Sequence, residues 1–282
     1  MGGELQGTVA VVAGASRGIG KGIAVELGAA GAHVWVCGRT LGARAAGAGT
    51  DGRPGSLRET AAEIGAAGGS ATPFRCDFTH DGDVAALFDA LSRRHESIDV
   101  LVNSVFNAHE FSASIGQRFW ELPVDAWRQV VDVGTRSAYV AAVHAAPMLI
   151  GSGRGLIVNV SGRAAERYRY NVPYGVGKAA LDKMTRDMAE ELRGERVAVV
   201  SIWPNVTRTE NVDASAAAGS SLSDTFGDLD LLETPRYSGR AVVALASDER
   251  VMGRTGGRFW VAELGADYGL TDEHGRSHPI PD

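Results

Sequence analysis

Tyr174 and Lys178 set a phenol and an ammonium four residues apart at the head of Tyr174-Gly175-Val176-Gly177-Lys178, which reads as the start of an amphipathic helix. Residues at i and i+4 share one helix face. The ammonium can therefore hold positive charge near the phenol oxygen and favour the phenolate. That would make a proton donor or acceptor of a side chain whose ordinary pKa is about 10. Lysine is scarce here: Lys21, Lys178 and Lys183 are the only three among 28 basic residues. Two such residues four apart also occur on solvated helix faces, so the pair takes its weight from what precedes it.

The apolar run Val9-Ala10-Val11-Val12-Ala13 predicts a buried parallel strand. It leads into Gly14-Ala15-Ser16-Arg17-Gly18-Ile19-Gly20, after which Ile23, Ala24 and Leu27 recur at helical spacing. Glycines let the backbone turn tightly and approach a pyrophosphate, and the helix that follows aims free N–H groups and its positive dipole end at the anion. Further strands are expected at His33–Cys37, Ala71–Arg75, Val100–Val102, Gly155–Val160, Val197–Ile202 and Gly257–Val261, alternating with helices. The alternation predicts an α/β fold with a doubly wound parallel sheet of seven strands and helices on both faces. Ser56-Leu57-Arg58-Glu59 is a capping box that opens one of the helices.

These motifs resemble the short-chain dehydrogenase/reductase family, classical type. Gly14, Gly18 and Gly20 match its TGxxxGxG, with Ala13 at the threonine; Tyr174 and Lys178 match its YxxxK; Pro204 to Thr209 resembles its PGxxxT, with Asn205 at the glycine. The likeness runs from about Gly7 to Val261. It implies a three-layer Rossmann-like sheet and a nicotinamide cofactor seated on Gly14, Ser16, Arg17, Gly18, Ile19 and Gly20. It further implies hydride transfer to or from a carbonyl or secondary alcohol carbon, with Tyr174 passing the proton. Lys178 would bond the nicotinamide ribose, Thr209 the carboxamide and Asp77 the adenine, and Asn103 would stand beside the adenosine ribose. Asp77 reads equally as a cap for the helix near His80. Phe106 stands where the family has a glycine.

The family's carbonyl-polarising serine admits two alignments. Ser161 lies thirteen positions before Tyr174, whereas laying Ile157 to Gly162 on the family's strand ending puts the role on Gly162. Adjacent strand positions face opposite sides, so the choice matters; Ser161 is expected, with the chain leaving strand geometry there. Gly134 occupies the position of an asparagine that supports a proton-relay water, and it keeps a carbonyl and tolerates a helix break.

At the end of the second strand, Val36-Cys37-Gly38-Arg39-Thr40 carries no carboxylate for an adenosine ribose. Arg39 and Arg17 offer two guanidiniums to a 2′-phosphate. NADP(H) is therefore the expected cofactor, with NAD(H) the alternative.

With 282 residues, 44% hydrophobic, there is material for one large domain over 1–282, with a substrate lid at about 210–235 and a short tail at 262–282. Asp213 to Asp230 is Ala/Ser/Gly-rich and reads as that lid or as a surface loop; Gly42 to Gly55 reads as a mobile insert. A net charge of −6 argues against nucleic-acid partners. No run approaches the roughly 20 apolar residues of a membrane span. Two cysteines in apolar runs and no secretion signal suit a cytoplasmic protein. His109, His144, His274 and His278 lack metal-ligand spacing. Phe111, Phe119, Trp120 and Trp203 suggest a hydrophobic small-molecule substrate, and the family implies a homodimer or homotetramer. The competing function is a nucleotide-binding scaffold or redox sensor without chemistry; a related lyase or epimerase is a third.

Overall fold

The computed structural model describes residues 3–42, 54–108, 111, 114–217 and 228–281. Seven strands, β1 (Val9–Ala13), β2 (His33–Gly38), β3 (Ser70–Arg75), β4 (Val100–Asn103), β5 (Leu156–Val160), β6 (Ala198–Trp203) and β7 (Arg258–Trp260), form one sheet in the order β3-β2-β1-β4-β5-β6-β7. The pairs β1–β2, β2–β3, β4–β5 and β5–β6 are parallel. Each strand lies within one residue of its expected bounds. The central strands β4, β5 and β6 are buried at every position, as near-continuous Val, Ile and Leu runs require in a sheet covered on both faces. Edge strand β3 is half-exposed, and there Pro73 costs no ladder bond on the open side.

Contacts group the chain into two compact units. One comprises residues 1–75, 204–248 and 260–282. It holds β1 to β3 with helices α1 (Gly18–Ala29) and α2 (Leu57–Ala66). α2 starts on Ser56, whose Oγ accepts the Glu59 N–H at 3.2 Å, as the capping box predicts. Ser56→Ala is expected to cost about 1 kcal/mol of stability, read as a lowered denaturant midpoint at unchanged slope. Pro235–Ser247 forms a helix that lies directly on α1: a Cβ on Gly22 would come 2.3 Å from the Pro235 carbonyl, and one on Gly239 would come 2.6 Å from Gly22 O. Backbones approach this closely only where a glycine makes the contact.

The other unit comprises residues 76–203 and 249–259. Here α3 (Asp81–Ser92), α4 (Ser137–Ser152) and α5 (Val172–Leu192) accompany β4 to β6. Its interior is tied by a buried polar chain: Asn103 Nδ2 donates to Asn159 Oδ1, Asn159 Nδ2 to Thr185 Oγ1, and Thr185 Oγ1 to Leu181 O, all at 2.9 Å. Satisfied in sequence, these bonds fix β4, β5 and α5 in one register. Most of the insert expected at Gly42 to Gly55, and residues 218–227 of the expected lid, lie outside the described residues.

Candidate active site

In the first unit the chain leaves β1 through Gly14 (φ +85°), and both Gly14 N and Ala15 N donate to Cys37 O at 2.9 and 3.0 Å. Thr60 Oγ1 from α2 donates to Ala15 O at 2.8 Å. The turn is thus hung on β2 and α2 before α1 begins. Gly18 takes φ +58°, where a side chain would be strained, and the Thr209 methyl lies 3.5 Å from where its Cβ would stand. α1 starts after Arg17 with no side-chain cap and no acidic residue in its first turn. A helix end so bare of its own acceptors suits a bound anion. Arg17 Nη2 donates to Gly55 O at 3.2 Å, and Arg39 is exposed at the end of β2.

The loop from Pro204 to Thr209 belongs to this same unit, and its anchor is Glu233. That buried carboxylate accepts the Asn205 N–H at 3.0 Å through Oε2, while Oε1 has no hydrogen-bond partner among the described residues. Arg208 N donates to Glu233 O, and Glu233 N to Val206 O. Burial pushes the Glu233 carboxyl up to about 7, against the Asn205 N–H, which lowers it. Next in the chain, α6 (Glu210–Ala217) opens with Glu210, whose Oε2 accepts the Gly18 N–H at 2.7 Å and whose Oε1 lies 3.7 Å from Lys21 Nζ.

In the second unit, Asn171 caps α5 by accepting the Tyr174 N–H at 3.0 Å, and Pro173 stands in its first turn. Asn171 is itself fixed by donating to Ser114 Oγ at 2.9 Å. Tyr170, just before the cap, takes φ +66°, an uncommon conformation for a bulky residue. Tyr174 and Lys178 follow one turn apart on the same face of α5. Lys178 Nζ donates to Val160 O at 2.9 Å and lies 5.7 Å from the centre of the Tyr174 ring. Burial brings the Lys178 ammonium down to about 8, opposed by the nearby Asp182 carboxylate. That carboxylate accepts from Ser201 Oγ at 2.7 Å and from Trp203 Nε1.

The expected depression of the phenol does not occur. Burial raises the Tyr174 hydroxyl above its ordinary value, Tyr170 raises it further, and Arg169 opposes them. Aromatic rings cause the desolvation: Phe111 lies 4.5 Å from the Tyr174 ring at 30°, with Tyr170 at 5.4 Å and Phe106 at 5.9 Å edge-on. Phe106, the departure at the family's glycine, finds its room by packing on Tyr174 and under the Lys178 ammonium.

Ser161 is turned away from the phenol. Its Oγ donates to Lys178 O at 3.1 Å, and its backbone N–H continues the ladder to Ile202 O. A Cβ on Gly162 would stand 3.9 Å from Tyr174 Oη, with no other atom of the described residues, its chain neighbours aside, within 4 Å. Strand alternation thus persists past β5, and position 162 faces the phenol while the hydroxyl of 161 points to the helix backbone. The expected twist of the chain at Ser161 is corrected by this geometry.

Gly134 lies in a π-helical stretch, Arg128–Arg136, which supplies the helix break its glycine permits. Val105, Phe106, Gly134, Thr135, Tyr174 and Lys178 line a small cleft beside that break. Asp77 does not cap α3: its Oδ1 accepts from Thr79 N and Oγ1 at 3.0 and 2.7 Å, and the cap position is His80. Asn103, at the end of β4, has a buried Oδ1 without a partner among the described residues. His109 lies outside the described residues. Sequence reading missed Asn171, Asp182, Glu210 and Glu233; of these, only Asn171, an Asx residue before Val-Pro at a helix start, carried a local signal.

The family model for short chain dehydrogenases matches residues 8–219. Dehydrogenase/reductase SDR family member 1 of Mus musculus is 37% identical over 285 residues, covering 99% of this chain and 86% of the mouse protein. A short-chain type dehydrogenase/reductase from Mycobacterium marinum superposes with a TM-score of 0.74 at 26% identity, over 93% of this chain and 96% of that one. A metagenomic short-chain oxidoreductase solved in complex with NADP gives 0.66 at 28% identity, over 87% and 92%.

Proposed function

This chain belongs to the short-chain dehydrogenase/reductase family, and from that premise we propose that it is an NADP(H)-dependent oxidoreductase acting on a carbonyl or secondary alcohol, with Tyr174 as proton donor and acceptor. The observation that carries the reading is the Tyr174–Lys178 pair on one face of α5, its phenol facing the open position at Gly162.

The residues present fit a dinucleotide. The start of α1, which has no cap or acid of its own, suits a pyrophosphate, and Asn103 Oδ1, unpartnered among the described residues, suits a ribose hydroxyl. Gly14, Ser16, Gly18, Ile19 and Gly20 would hold the phosphates, Arg17 and Arg39 the 2′-phosphate, Thr209 the carboxamide, Asp77 the adenine and Lys178 the nicotinamide ribose. When bound, the cofactor supplies the hydride in reduction. Tyr174, a phenol protonated at neutral pH, would donate a proton from Oη to the substrate oxygen. Lys178 carries charge beside the phenolate so formed, and Asp182 helps keep it protonated.

The ring wall of Phe106, Phe111 and Tyr170 supports a hydrophobic substrate. Exposed Tyr139 and Val143, four apart on α4, support a homo-oligomer. Among the described residues no helix is long and apolar enough to cross a membrane. The glycine at 162 gives the scaffold reading its one specific support. A panel of ketones, quinones and aldehydes with NADPH decides between the two. Consumption of NADPH on any of them supports the oxidoreductase, and tight binding without turnover across the panel supports the scaffold. Arg39→Ala is expected to lower kcat/KM with NADPH roughly 10- to 100-fold while leaving that with NADH near its starting value, as loss of a charged hydrogen bond to a 2′-phosphate requires.

A further inference from the structure

The amide at the start of α1 already holds a carboxylate. Gly18 N–H donates to Glu210 Oε2 at 2.7 Å, and Lys21 Nζ approaches Oε1 at 3.7 Å. The contact joins residues 192 positions apart. Helix α1 supplies no acceptor of its own there, neither a capping side chain nor an acid in its first turn. Glu210 thus provides the negative charge that the helix end and Lys21 attract. The loop before it is fastened by Glu233 at Asn205, Val206 and Arg208, and Thr209 rests on Gly18, so the carboxylate is delivered by a braced segment. Lys21 is shared with Glu63 at 2.7 Å, which leaves the Gly18 N–H bond as the closer of Glu210's two contacts.

We propose that Glu210 is a resident competitor of the dinucleotide: its carboxylate sits on the amide that a pyrophosphate would use, and the cofactor must expel it, shifting the start of α6 as it binds. The proposal rests on the dinucleotide reading above and adds to it a linkage between cofactor binding and the segment that opens the expected lid. Two anions cannot share one N–H donor, and a pyrophosphate beside an undisplaced carboxylate would add like-charge repulsion. Charging the seat internally lowers the cofactor's apparent affinity by the share of molecules in which Glu210 is docked. It also couples the two events in both directions, since whatever holds α6 away from α1 favours the cofactor by the same factor.

The test is equilibrium titration of the full chain with NADPH, and separately with inorganic pyrophosphate, for wild type, Glu210→Gln and Glu210→Ala, with melting temperatures recorded alongside. The expected result is binding of both probes roughly tenfold tighter in the two variants, the scale of removing one anion from a helix terminus and its charge-assisted bond. Glu210→Gln keeps the size and one acceptor, so tightening there reports charge rather than lost packing. Equal or weaker binding of both probes in a variant that melts like wild type overturns the proposal and makes Glu210 a structural cap or a cofactor contact. Should neither probe nor NADH bind any of the three proteins, the dinucleotide reading falls, and this proposal with it.

Discussion

Tyr174→Phe is expected to lower kcat for NADPH-dependent carbonyl reduction by about 10³-fold or more while changing the NADPH dissociation constant by less than about twofold; general acid catalysis by a placed side chain is worth roughly 10²–10⁴-fold. The variant removes one oxygen and nothing else. The ring keeps its contacts with Phe111, Tyr170 and Phe106, and the helix start is held by Asn171 through the backbone of residue 174, which the substitution leaves unchanged. Stopped-flow reduction and fluorescence titration measure the two quantities separately. Retained turnover would move the proton-transfer role to another group, and a parallel loss of binding would mean that Oη serves the cofactor more than the chemistry.

Gly162→Ser is expected to act in the opposite direction, raising kcat/KM for simple ketones about 10- to 100-fold. A preorganised hydroxyl aimed at a developing oxyanion contributes roughly 10²–10³-fold where such donors have been removed, and a grafted one recovers part of that. The site is prepared for it. A Cβ at 162 meets only Tyr174 Oη, at 3.9 Å, and the backbone there is extended, so serine enters without strain. Ser161→Ala serves as the contrast: its hydroxyl spends its proton on Lys178 O, and its loss bears on how α5 sits against the strand end. Steady-state kinetics on a matched ketone series compares the two. A null or harmful effect of Gly162→Ser would place the substrate oxygen away from the strand end.

What was legible in the chain follows from how far each signal reaches. The seven strands could be read because parallel strands buried on both faces are apolar almost residue by residue, and Val9 to Ala13 or Leu156 to Val160 need no partner to be recognised. The glycine turn and the Tyr174–Lys178 pair were legible because their geometry is local, fixed by a few dihedrals or by one helix turn. The orientation at Ser161 and Gly162 was not, since spacing to Tyr174 and strand alternation pointed different ways and only the ladder bond to Ile202 decided. Nor was the protonation of Tyr174. Helical spacing shows the lysine, but the stronger influence is burial under Phe111 and Tyr170, residues whose rings reach the phenol only in three dimensions. Glu210 and Glu233 are ordinary acids in the linear chain, and their meaning comes from contacts 192 and 28 positions away.

The crossing of α1 with Pro235–Ser247 limits which substitutions the chain can accept there. A methyl on Gly22 would meet the Pro235 carbonyl and one on Gly239 the Gly22 carbonyl, so either is opposed by backbone that cannot shrink to admit it. Ordinary core positions can trade volume between side chains; here the opposing group is a backbone carbonyl, which has none to give. A side chain at either glycine therefore has to push the two helices apart.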